Sequence, residues 1–361
     1  MKSNRKIKTI ILIFLGIILA FSPIFMNNPR FNTRDRDISA NYDDEFGHIN
    51  LKTSAISGKI HIDGNSGWLA FKNAGNCTGQ GTASDPYNIE DLIIDGGNED
   101  NCIWIENSDV HFRIENCTVF NAIGTIINYA GIRLDFVSNG KLIDNIVNDN
   151  YYGIRLEESD NNEISGNFAN ENIHWGMYLD SCDNNIILEN YMCYAGDTGI
   201  VLSGGEYNFI SRNTANYNSN DGIRIWGSYN DVVENWVKQN GGVGIQLSGG
   251  SYQNNIYLNC LNNTLNANDP AYQLENRWDN GAKGNYWHDY TGIDSDGNGI
   301  GDVPYNISGI ANSQDNFPLM SCQIGIGGEE EAIPGYNSIV LLVFLPLAVI
   351  IIKKKLKKSI I

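Results

Sequence analysis

The stretch GIRLDFVSNGKLIDNIVNDNYYGIRLEESDNNEISGNFANENIHWGMYLD, Gly131 to Asp180, repeats one pattern every 22 or 23 residues. Each copy opens with a glycine, then an apolar residue, any residue and a second apolar residue. The chain holds six copies, and their first apolar residues are Ile132, Ile154, Met177, Ile200, Ile223 and Ile245. A fixed period of this length indicates an architecture in which each unit packs against the next.

Further columns run through the same six units. One apolar column is Leu142, Ile164, Ile187, Ile210, Val232 and Ile256. Another is Val147, Ala169, Met192, Ala215, Val237 and Leu261. Apolar and polar residues alternate within each unit, which is typical of short strands with one buried face, and no unit has a helical period. The pattern predicts an all-β fold, a single-stranded parallel β-helix whose coils stack about 4.8 Å apart. The crossover rule predicts that it is right-handed.

An asparagine column accompanies the apolar ones. Its members are Asn145, Asn167, Asn190, Asn213, Asn235 and Asn259. Each side-chain amide is expected to donate a hydrogen bond to the same asparagine of the next coil, which forms a ladder. Asparagine also tolerates a left-handed backbone, so we expect these residues to take that conformation at the bends. The structural interpretation is favoured over ligand binding.

The two ends of the chain have the composition of membrane segments. Basic residues precede an apolar run at Thr9 to Met26, and an apolar stretch at 333–352 is followed by five lysines. The first predicts a signal peptide or an uncleaved anchor, and the second a transmembrane helix. The lysine-rich ends belong in the cytoplasm by the positive-inside rule, which places the β-helix on the extracellular side of the cell membrane.

The resulting domain organisation has six parts. They are 1–26, a signal peptide or anchor; 27–57, a linker; 58–275, the β-helix with its N-terminal cap; 276–322, a C-terminal cap with an Asp-rich loop; 323–332, a second linker; and 333–361, a transmembrane anchor with a basic tail.

The net charge and short sequence motifs restrict the binding partners and modifications that we expect. The net charge of −18 disfavours nucleic acid, because an acidic surface repels phosphates. Four Asn-x-Ser/Thr sequons predict glycosylation at Asn76, Asn116, Asn262 and Asn306. The seven cysteines leave at least one thiol free, and their pairing cannot be deduced from the sequence.

The C-terminal cap combines aromatic residues with an Asp-rich loop. Its aromatic residues, which include Trp278 and Trp287, are expected to cover the open apolar end. The loop has the spacing of a calcium-binding loop, with candidate ligands Asp294, Asp296, Asn298, the Ile300 carbonyl and Asp302. Position 12 is Tyr305 instead of a glutamate, and Asp315 is a candidate for the missing carboxylate. A turn that binds no metal remains the alternative. No organic cofactor is expected.

The outward positions of the repeats supply candidate functional residues. Asp135, Glu157 and Asp180 fall on successive coils, at separations that glycoside hydrolysis uses. Mutual repulsion is expected to keep one of them protonated as a catalytic acid. Candidate ligand-binding residues beside them are Arg133, Arg155, Tyr178 and Trp226. A ladder of charges on a solvated sheet is the structural alternative.

The GI-x-L units and the segment WDNGAKGNYWHDYTGIDSDGNGIGDVPYNI, Trp278 to Ile307, resemble the NosD-type β-helix repeats and closing motif of archaeal surface proteins. That resemblance places the chain near β-helix domains of carbohydrate-binding proteins and sugar hydrolases. It also implies copper delivery to nitrous oxide reductase, which the five scattered histidines do not support. The tail at Pro334 and Gly335 is similar to archaeal sorting tails that an archaeosortase reads, and a plain anchor is the alternative.

These observations lead to one expected function and two alternatives. The leading expectation is a non-catalytic, membrane-anchored envelope module that binds a polysaccharide or glycoprotein of the cell surface. The first alternative is a polysaccharide lyase or glycoside hydrolase that uses the outward carboxylates. The second, copper handling, is disfavoured.

Overall fold

The computed structural model describes residues 55–124, 129–271 and 275–324. The described residues all belong to one unit of the chain, which begins at Leu51. The predicted membrane segments at Thr9 to Met26 and 333–352 lie outside the described residues. Within the described ranges, no helix combines the length and apolarity needed to cross a bilayer.

Three parallel sheets form the body of the protein. Sheet I consists of β2 (Ile60–Asp63), β5 (Ile103–Ser108), β8 (Ala130–Val137), β11 (Tyr152–Glu157), β13 (Met177–Asp180), β15 (Ile200–Ser203), β17 (Ile223–Ile225), β20 (Val243–Leu247) and β23 (Leu265–Asn268). Sheet II consists of β3 (Tyr87–Glu90), β6 (Phe112–Glu115), β9 (Gly140–Ile143), β12 (Glu163–Ser165), β14 (Ile186–Leu188), β16 (Phe209–Ser211), β18 (Asp231–Val233) and β21 (Asn255–Tyr257).

Sheet III is made of two short runs of strands. It consists of β1 (Ala55–Ser57), β4 (Leu92–Asp95), β7 (Thr118–Phe120) and β10 (Ile146–Val147), then β19 (Trp236–Lys238), β22 (Cys260–Asn262) and β24 (Tyr286–Trp287). Isolated parallel bridges through Phe168, Tyr191 and Thr214 connect the two runs. A helix, α1 (Gly64–Asn73), and an antiparallel hairpin, β25 (Tyr305–Asn306) and β26 (Gln314–Asp315), complete the described structure.

The register of sheet I confirms the predicted parallel β-helix. Ile154 pairs with Ile132 on one side and with Met177 on the other, and Met177 pairs with Ile200. These apolar columns are fully buried. Burial of each such side chain contributes about 1.5–3 kcal/mol, so the stacked columns supply most of the driving force for folding. The right-handed twist of the coil stays a prediction.

The predicted asparagine ladder is confirmed. Nδ2 of Asn190 donates to Oδ1 of Asn213 at 3.0 Å and to the Ile164 carbonyl at 2.8 Å. Oδ1 of Asn190 accepts from both the backbone N–H and Nδ2 of Asn167, at 2.9 Å each. Every buried amide group in this column is therefore satisfied by a neighbouring coil.

Two further ladders run along the molecule. One comprises Asn162, Asn185, Asn208, Asn230, Asn254 and Asn276. The other comprises Asn150, Asn172, Asn218, Asn240, Asn263 and Asn266. In this third ladder Ala195 occupies one rung, and its backbone N–H still donates to Oδ1 of Asn218 at 2.9 Å.

The expectation that the ladder asparagines have a left-handed backbone is wrong. The residue just before each of them has the positive φ: Asp144, Gly166, Glu189, Arg212, Glu234 and Leu258. The bend therefore comes one residue earlier. Glu, Arg and Leu occupy this bend position as well as Gly, so the stacked coils impose the left-handed backbone there. That backbone costs about 1–2 kcal/mol for a residue other than glycine.

The N-terminal end of the solenoid is closed by α1. Its Trp68 is fully buried and stacks on Tyr87 at a ring-centroid distance of 5.2 Å. The same indole lies 5.0 Å from the ring of Phe112. The helix thus covers the apolar interior that the first coils of sheet II would otherwise expose.

Aromatic residues close the C-terminal end, as predicted. Trp278 and Trp287 are buried, with ring centroids 6.0 Å apart, and Trp287 stacks on Tyr305 at 4.2 Å. A disulfide between Cys260 and Cys322 ties β22 to the end of the cap. The other five cysteines are free, and four of them are buried.

Each asparagine ladder ends on an aspartate of the C-terminal region. The first ends where Asn259 bonds to Asn285, whose backbone N–H donates to Asp315 at 2.7 Å. The second ends where Asn276 donates to Asp269 at 3.3 Å. In the third, Asn266 donates to Asp289 at 2.7 Å.

The carboxylates match the polarity of the ladders. The backbone N–H of each ladder asparagine and one N–H of its side-chain amide donate toward the C-terminal end. The last rung therefore presents N–H groups, and a carboxylate offers only acceptors. The suggestion that Asp315 serves as a calcium ligand is wrong, because its carboxylate is fully buried and also accepts from Nε1 of Trp287 at 2.8 Å.

Asp315 is expected to make the cap pH-dependent. Burial raises the pKa of its carboxyl from 3.8 to about 6, although hydrogen bonds from Asn285, Trp287 and Phe317 oppose the shift. The folded state binds the proton of Asp315 more tightly than the unfolded state, so protonation of Asp315 stabilises the folded protein. This contribution is complete below about pH 3.8 and is lost as the pH rises through about 6.

Between pH 7.5 and pH 5 we therefore expect the wild type to gain about 1 kcal/mol of stability relative to Asp315→Asn, which cannot titrate. Urea midpoints of both proteins at the two pH values measure the difference. An identical pH response of the two proteins would contradict the assignment.

Candidate functional site

The outer face of sheet I carries two polar columns in register. The first is His61, Trp104, Arg133, Arg155, Tyr178, Val201, Arg224 and Gln246. The second is Asp63, Glu106, Asp135, Glu157, Asp180 and Ser203. Alternation along each strand sends these side chains away from the core, so they lie on one face parallel to the solenoid axis. Val201 is fully covered there, and Asp135 and Arg155 are nearly so.

Ion pairs connect the two columns. Nε of Arg133 lies 2.7 Å from Oδ2 of Asp135, and its Nη2 lies 3.5 Å from Oε2 of Glu157. Nη2 of Arg155 lies 2.8 Å from the same Glu157 oxygen. Nε1 of Trp104 donates to Oδ2 of Asp135 at 2.8 Å. The result is a continuous network across β5, β8 and β11.

Two tyrosine rings pack against Arg155. Its guanidinium carbon lies 5.8 Å from the ring centroid of Tyr152 and 5.9 Å from that of Tyr178, which are cation–π distances. The Trp175 ring lies 4.4 Å from Tyr178 and 5.3 Å from Tyr152. His174 packs edge-on against Trp175 at 4.3 Å. We call the set Arg133, Arg155, Asp135, Glu157, Tyr152, His174, Trp175 and Tyr178 the Arg155 cluster.

The ionisable rings of the cluster are held in their neutral forms at neutral pH. Burial raises the pKa of Tyr152 to about 12 and also raises that of Tyr178. Burial lowers the pKa of His174, against an opposing effect of Asp197. Tyr152 is buried, whereas Tyr178 and His174 are partly exposed, and a neutral ring of this kind combines apolar surface with a hydrogen-bonding group, as amphipathic ligands require.

The predicted catalytic carboxylates share one column but differ in environment. Asp135 is only 5% exposed and is held by Arg133 and Trp104. Glu157 is partly exposed and bridges two arginines. Asp180 forms no ion pair in the part of the chain that the structure describes. The arginines offset the repulsion that would favour a protonated catalytic acid, and the catalytic role of the three stays a prediction.

The predicted ligand-binding residues are only partly brought together. Arg133, Arg155 and Tyr178 lie in the Arg155 cluster. Trp226 follows β17, is 44% exposed and lies 5.9 Å from the guanidinium of Arg224. It belongs to the same face but sits two coils beyond Tyr178, outside the cluster.

Sequence reasoning missed Trp104, Tyr152, His174 and Trp175. The signal lay just ahead of the repeat motif, where Tyr152 and Trp175 immediately precede the glycines of GIRL and GMYL. Trp104 follows the outward column itself, one coil before the six regular units. Tyr152, His174 and Trp175 stand at or just before the start of a strand, outside the alternating pattern.

The Asp-rich loop brings together three of its predicted ligands. Carboxylate oxygens of Asp294, Asp296 and Asp302 lie within 4.8 Å of one another. Hydrogen bonds from backbone N–H groups, that of Gly299 foremost, lower the pKa of Asp294. Oδ1 of Asn298 accepts from the Ile300 N–H at 2.8 Å, so the loop is also ordered by its own turns. Calcium binding therefore stays a prediction.

We expect Ca²⁺ to bind the full-length chain at this loop and to raise its midpoint of thermal unfolding. The Asp296→Asn variant should lose at least tenfold in affinity, because one of three converging charges is removed. Isothermal titration with Ca²⁺, with Mg²⁺ as the control ion, measures this. Equal heats for both proteins would identify the loop as a turn that needs no metal.

The four predicted glycosylation sites differ in accessibility. Asn76 and Asn306 are exposed, and Asn262 is half-buried. Asn116 is exposed, but its Nδ2 donates to Asp91 at 2.7 Å. Modification at all four stays a prediction.

The architecture defines a parallel β-helix protein with a polar and aromatic outer face. The chain belongs to the NosD family, since the family model described as "Periplasmic copper-binding protein (NosD)" matches residues 110–292. No curated protein sequence matches the chain.

Several solved β-helix structures are similar to it. The periplasmic alginate epimerase AlgG is 19% identical, over 46% of this chain and 47% of that one, with a TM-score of 0.36. The A-module of the mannuronan C-5 epimerase AlgE4 of Azotobacter vinelandii is 12% identical, over 55% and 67%, with a TM-score of 0.38. The Dettilon tailspike protein is 14% identical, over 64% and 58%, with a TM-score of 0.41. The chain thus spans about half the length of AlgG.

The described residues do not fit a copper site. Copper favours imidazole and sulfur ligands, yet His61 stacks on Trp104 and His174 packs among aromatic rings. The buried thiols of Cys102 and Cys182 donate to backbone carbonyls. Within the described ranges, the one convergence of three metal-binding side chains is the aspartate loop, which is all oxygen.

Proposed function

We propose that this protein is a non-catalytic envelope module that binds a glycan along the outer face of sheet I. The observation that carries the proposal is the Arg155 cluster, in which the half-buried rings of Trp175 and Tyr178, packed on the buried Tyr152, lie beside paired arginines and carboxylates. Sugars offer apolar C–H faces and hydroxyl edges, and this mixed surface complements both.

The surrounding structure supports an extended ligand. The first column continues through eight strands about 4.8 Å apart, so the face is roughly 34 Å long. Trp226 and Arg224 provide a second aromatic and cationic pair further along it. An elongated face of repeated chemistry suits a polymer better than a small molecule.

An extracellular location is part of the proposal. The disulfide between Cys260 and Cys322 fits an oxidising compartment. The apolar ends at Thr9 to Met26 and 333–352 would anchor the chain to the membrane on either side of the β-helix. The partner is then a polysaccharide or glycoprotein of the cell envelope.

Replacing Tyr178 or Trp175 with alanine is expected to weaken glycan binding at least tenfold, because each removes a stacking surface from the cluster. Tyr191→Ala is the matched control, since Tyr191 is an exposed aromatic residue that stacks on Phe168 in sheet III. A panel of soluble oligosaccharides screened by microscale thermophoresis with the full-length chain in detergent measures the effect.

The same screen tests the enzymatic alternative. If the protein is a lyase or hydrolase, new reducing ends will accumulate during incubation and Glu157→Gln will abolish them. Retention of the oligosaccharide without new ends supports a binding module. Equal losses of affinity in Tyr178→Ala and Tyr191→Ala would contradict the assignment to sheet I.

A further inference from the structure

The cations on the outer face of sheet I are already neutralised by the protein itself. Arg133 pairs with Asp135 at 2.7 Å, Arg155 pairs with Glu157 at 2.8 Å, and Arg224 pairs with Asp221 at 2.7 Å. A glycan that carried carboxylates would need at least one arginine or lysine free to receive them.

The adjacent column is strongly acidic. Asp63, Glu106, Asp135, Glu157 and Asp180 are consecutive in register on five neighbouring strands. Among the described residues, the arginines that pair with this column are Arg133 and Arg155, and Nε2 of His61 lies 2.7 Å from Glu106. Five carboxylates therefore face two arginines, and the surface carries a net negative charge.

Arg155 has unused donors, but they are closed to a ligand. Its Nε and Nη1 have no hydrogen-bond partner among the described residues, and the residue is only 7% exposed. The Tyr152 and Tyr178 ring centroids lie 5.8 Å and 5.9 Å from the guanidinium carbon and 5.9 Å from each other, so the two rings pack together against the guanidinium. An incoming carboxylate would have to displace one of these rings or Glu157 to reach it.

We infer that the glycan bound by the Arg155 cluster consists of uncharged sugars and not of uronates, an inference that rests on the proposed function. Sugar hydroxyls can donate, so they can bond to the partly exposed carboxylate of Glu157 without needing a free cation. A uronate would place a carboxylate against a column of like charges, an arrangement by which binding sites reject the wrong ligand.

The experiment compares matched pairs of hexasaccharides that differ only in whether a carboxylate replaces the primary alcohol. The pairs are mannan with polymannuronate, galactan with polygalacturonate, and glucan with polyglucuronate. Affinities are measured by microscale thermophoresis on the full-length chain, at low and at moderate salt. In any pair that binds, we expect the neutral hexasaccharide to have at least tenfold higher affinity than the acidic one at low salt. The difference in affinity should decrease at moderate salt, because salt screens the repulsion between carboxylates.

Two variants sharpen the comparison. Glu157→Gln removes one negative charge and frees its arginine partners, so binding of the acidic hexasaccharide should strengthen at least threefold. Glu163→Gln, on sheet II, also breaks an ion pair, with Lys141 at 2.6 Å, and should change neither affinity.

The possible outcomes separate the inference from the proposed function. Equal or tighter binding of the acidic member in the pair that binds overturns the inference and leaves glycan binding intact. An unchanged acidic affinity in Glu157→Gln also counts against it. Absence of binding in all three pairs overturns the proposed function itself.

Discussion

Replacing Asn190 with alanine is expected to lower the free energy of unfolding by about 4–6 kcal/mol. The side chain makes two donor and two acceptor hydrogen bonds at 2.8–3.0 Å, all of them buried. Its removal leaves the amide of Asn167 and the carbonyl of Ile164 unpaired where water does not reach. The loss of each buried partner costs about 1–3 kcal/mol.

Urea unfolding of the full-length chain, followed by tryptophan fluorescence, measures this loss. The matched control is Asn73→Ala, because Asn73 is exposed at the end of α1, where alanine is a good helix former. Equal midpoints for the two variants would show that the ladder does not stabilise the solenoid.

The second large effect is expected at Asp315. Its alanine variant should lose about 3–5 kcal/mol, since the N–H groups of Asn285 and Phe317 and Nε1 of Trp287 would lose their shared acceptor. Because Trp287 lies at the end of the apolar column, the cap should loosen before the rest of the solenoid unfolds.

Hydrogen exchange at the backbone N–H groups of Asn285 and Phe317 reports on that loosening, and urea midpoints report on the whole protein. The matched control is Asp315→Asn, which keeps the shape and one acceptor oxygen and should lose less than half as much stability. A cap that stays protected in Asp315→Ala would contradict the proposed role of the carboxylate.

The sequence predicted the stacking well because it depends on periodicity. A column such as Ile154, Met177 and Ile200 is readable from spacing alone, since the same backbone path recurs in every coil. The bonding of each asparagine to its equivalent follows from the same repetition. The backbone conformation at the bends was assigned to the wrong residue because propensity favours asparagine, whereas the stacked coils impose the bend one position earlier.

The caps and the site were less predictable because they depend on contacts outside the repeat. Nothing in the spacing shows that Asp269, Asp289 and Asp315 reach the ends of three different ladders, since each is placed by an irregular chain path. The disulfide partner of Cys260 is likewise 62 residues away. The Arg155 cluster was half predicted. Its residues in the strand interior, Tyr178 included, follow the repeat period, whereas Tyr152, His174 and Trp175 precede the repeat motif.

The uniform rungs of the ladders bear on how such a protein evolves. Each asparagine offers its neighbour the same donor and acceptor, so any coil can follow any other without a new interface. Duplication or deletion of a gene segment encoding a single coil would lengthen or shorten the molecule while the two end structures stay unchanged. Relatives of this chain should therefore differ in size by whole multiples of that segment.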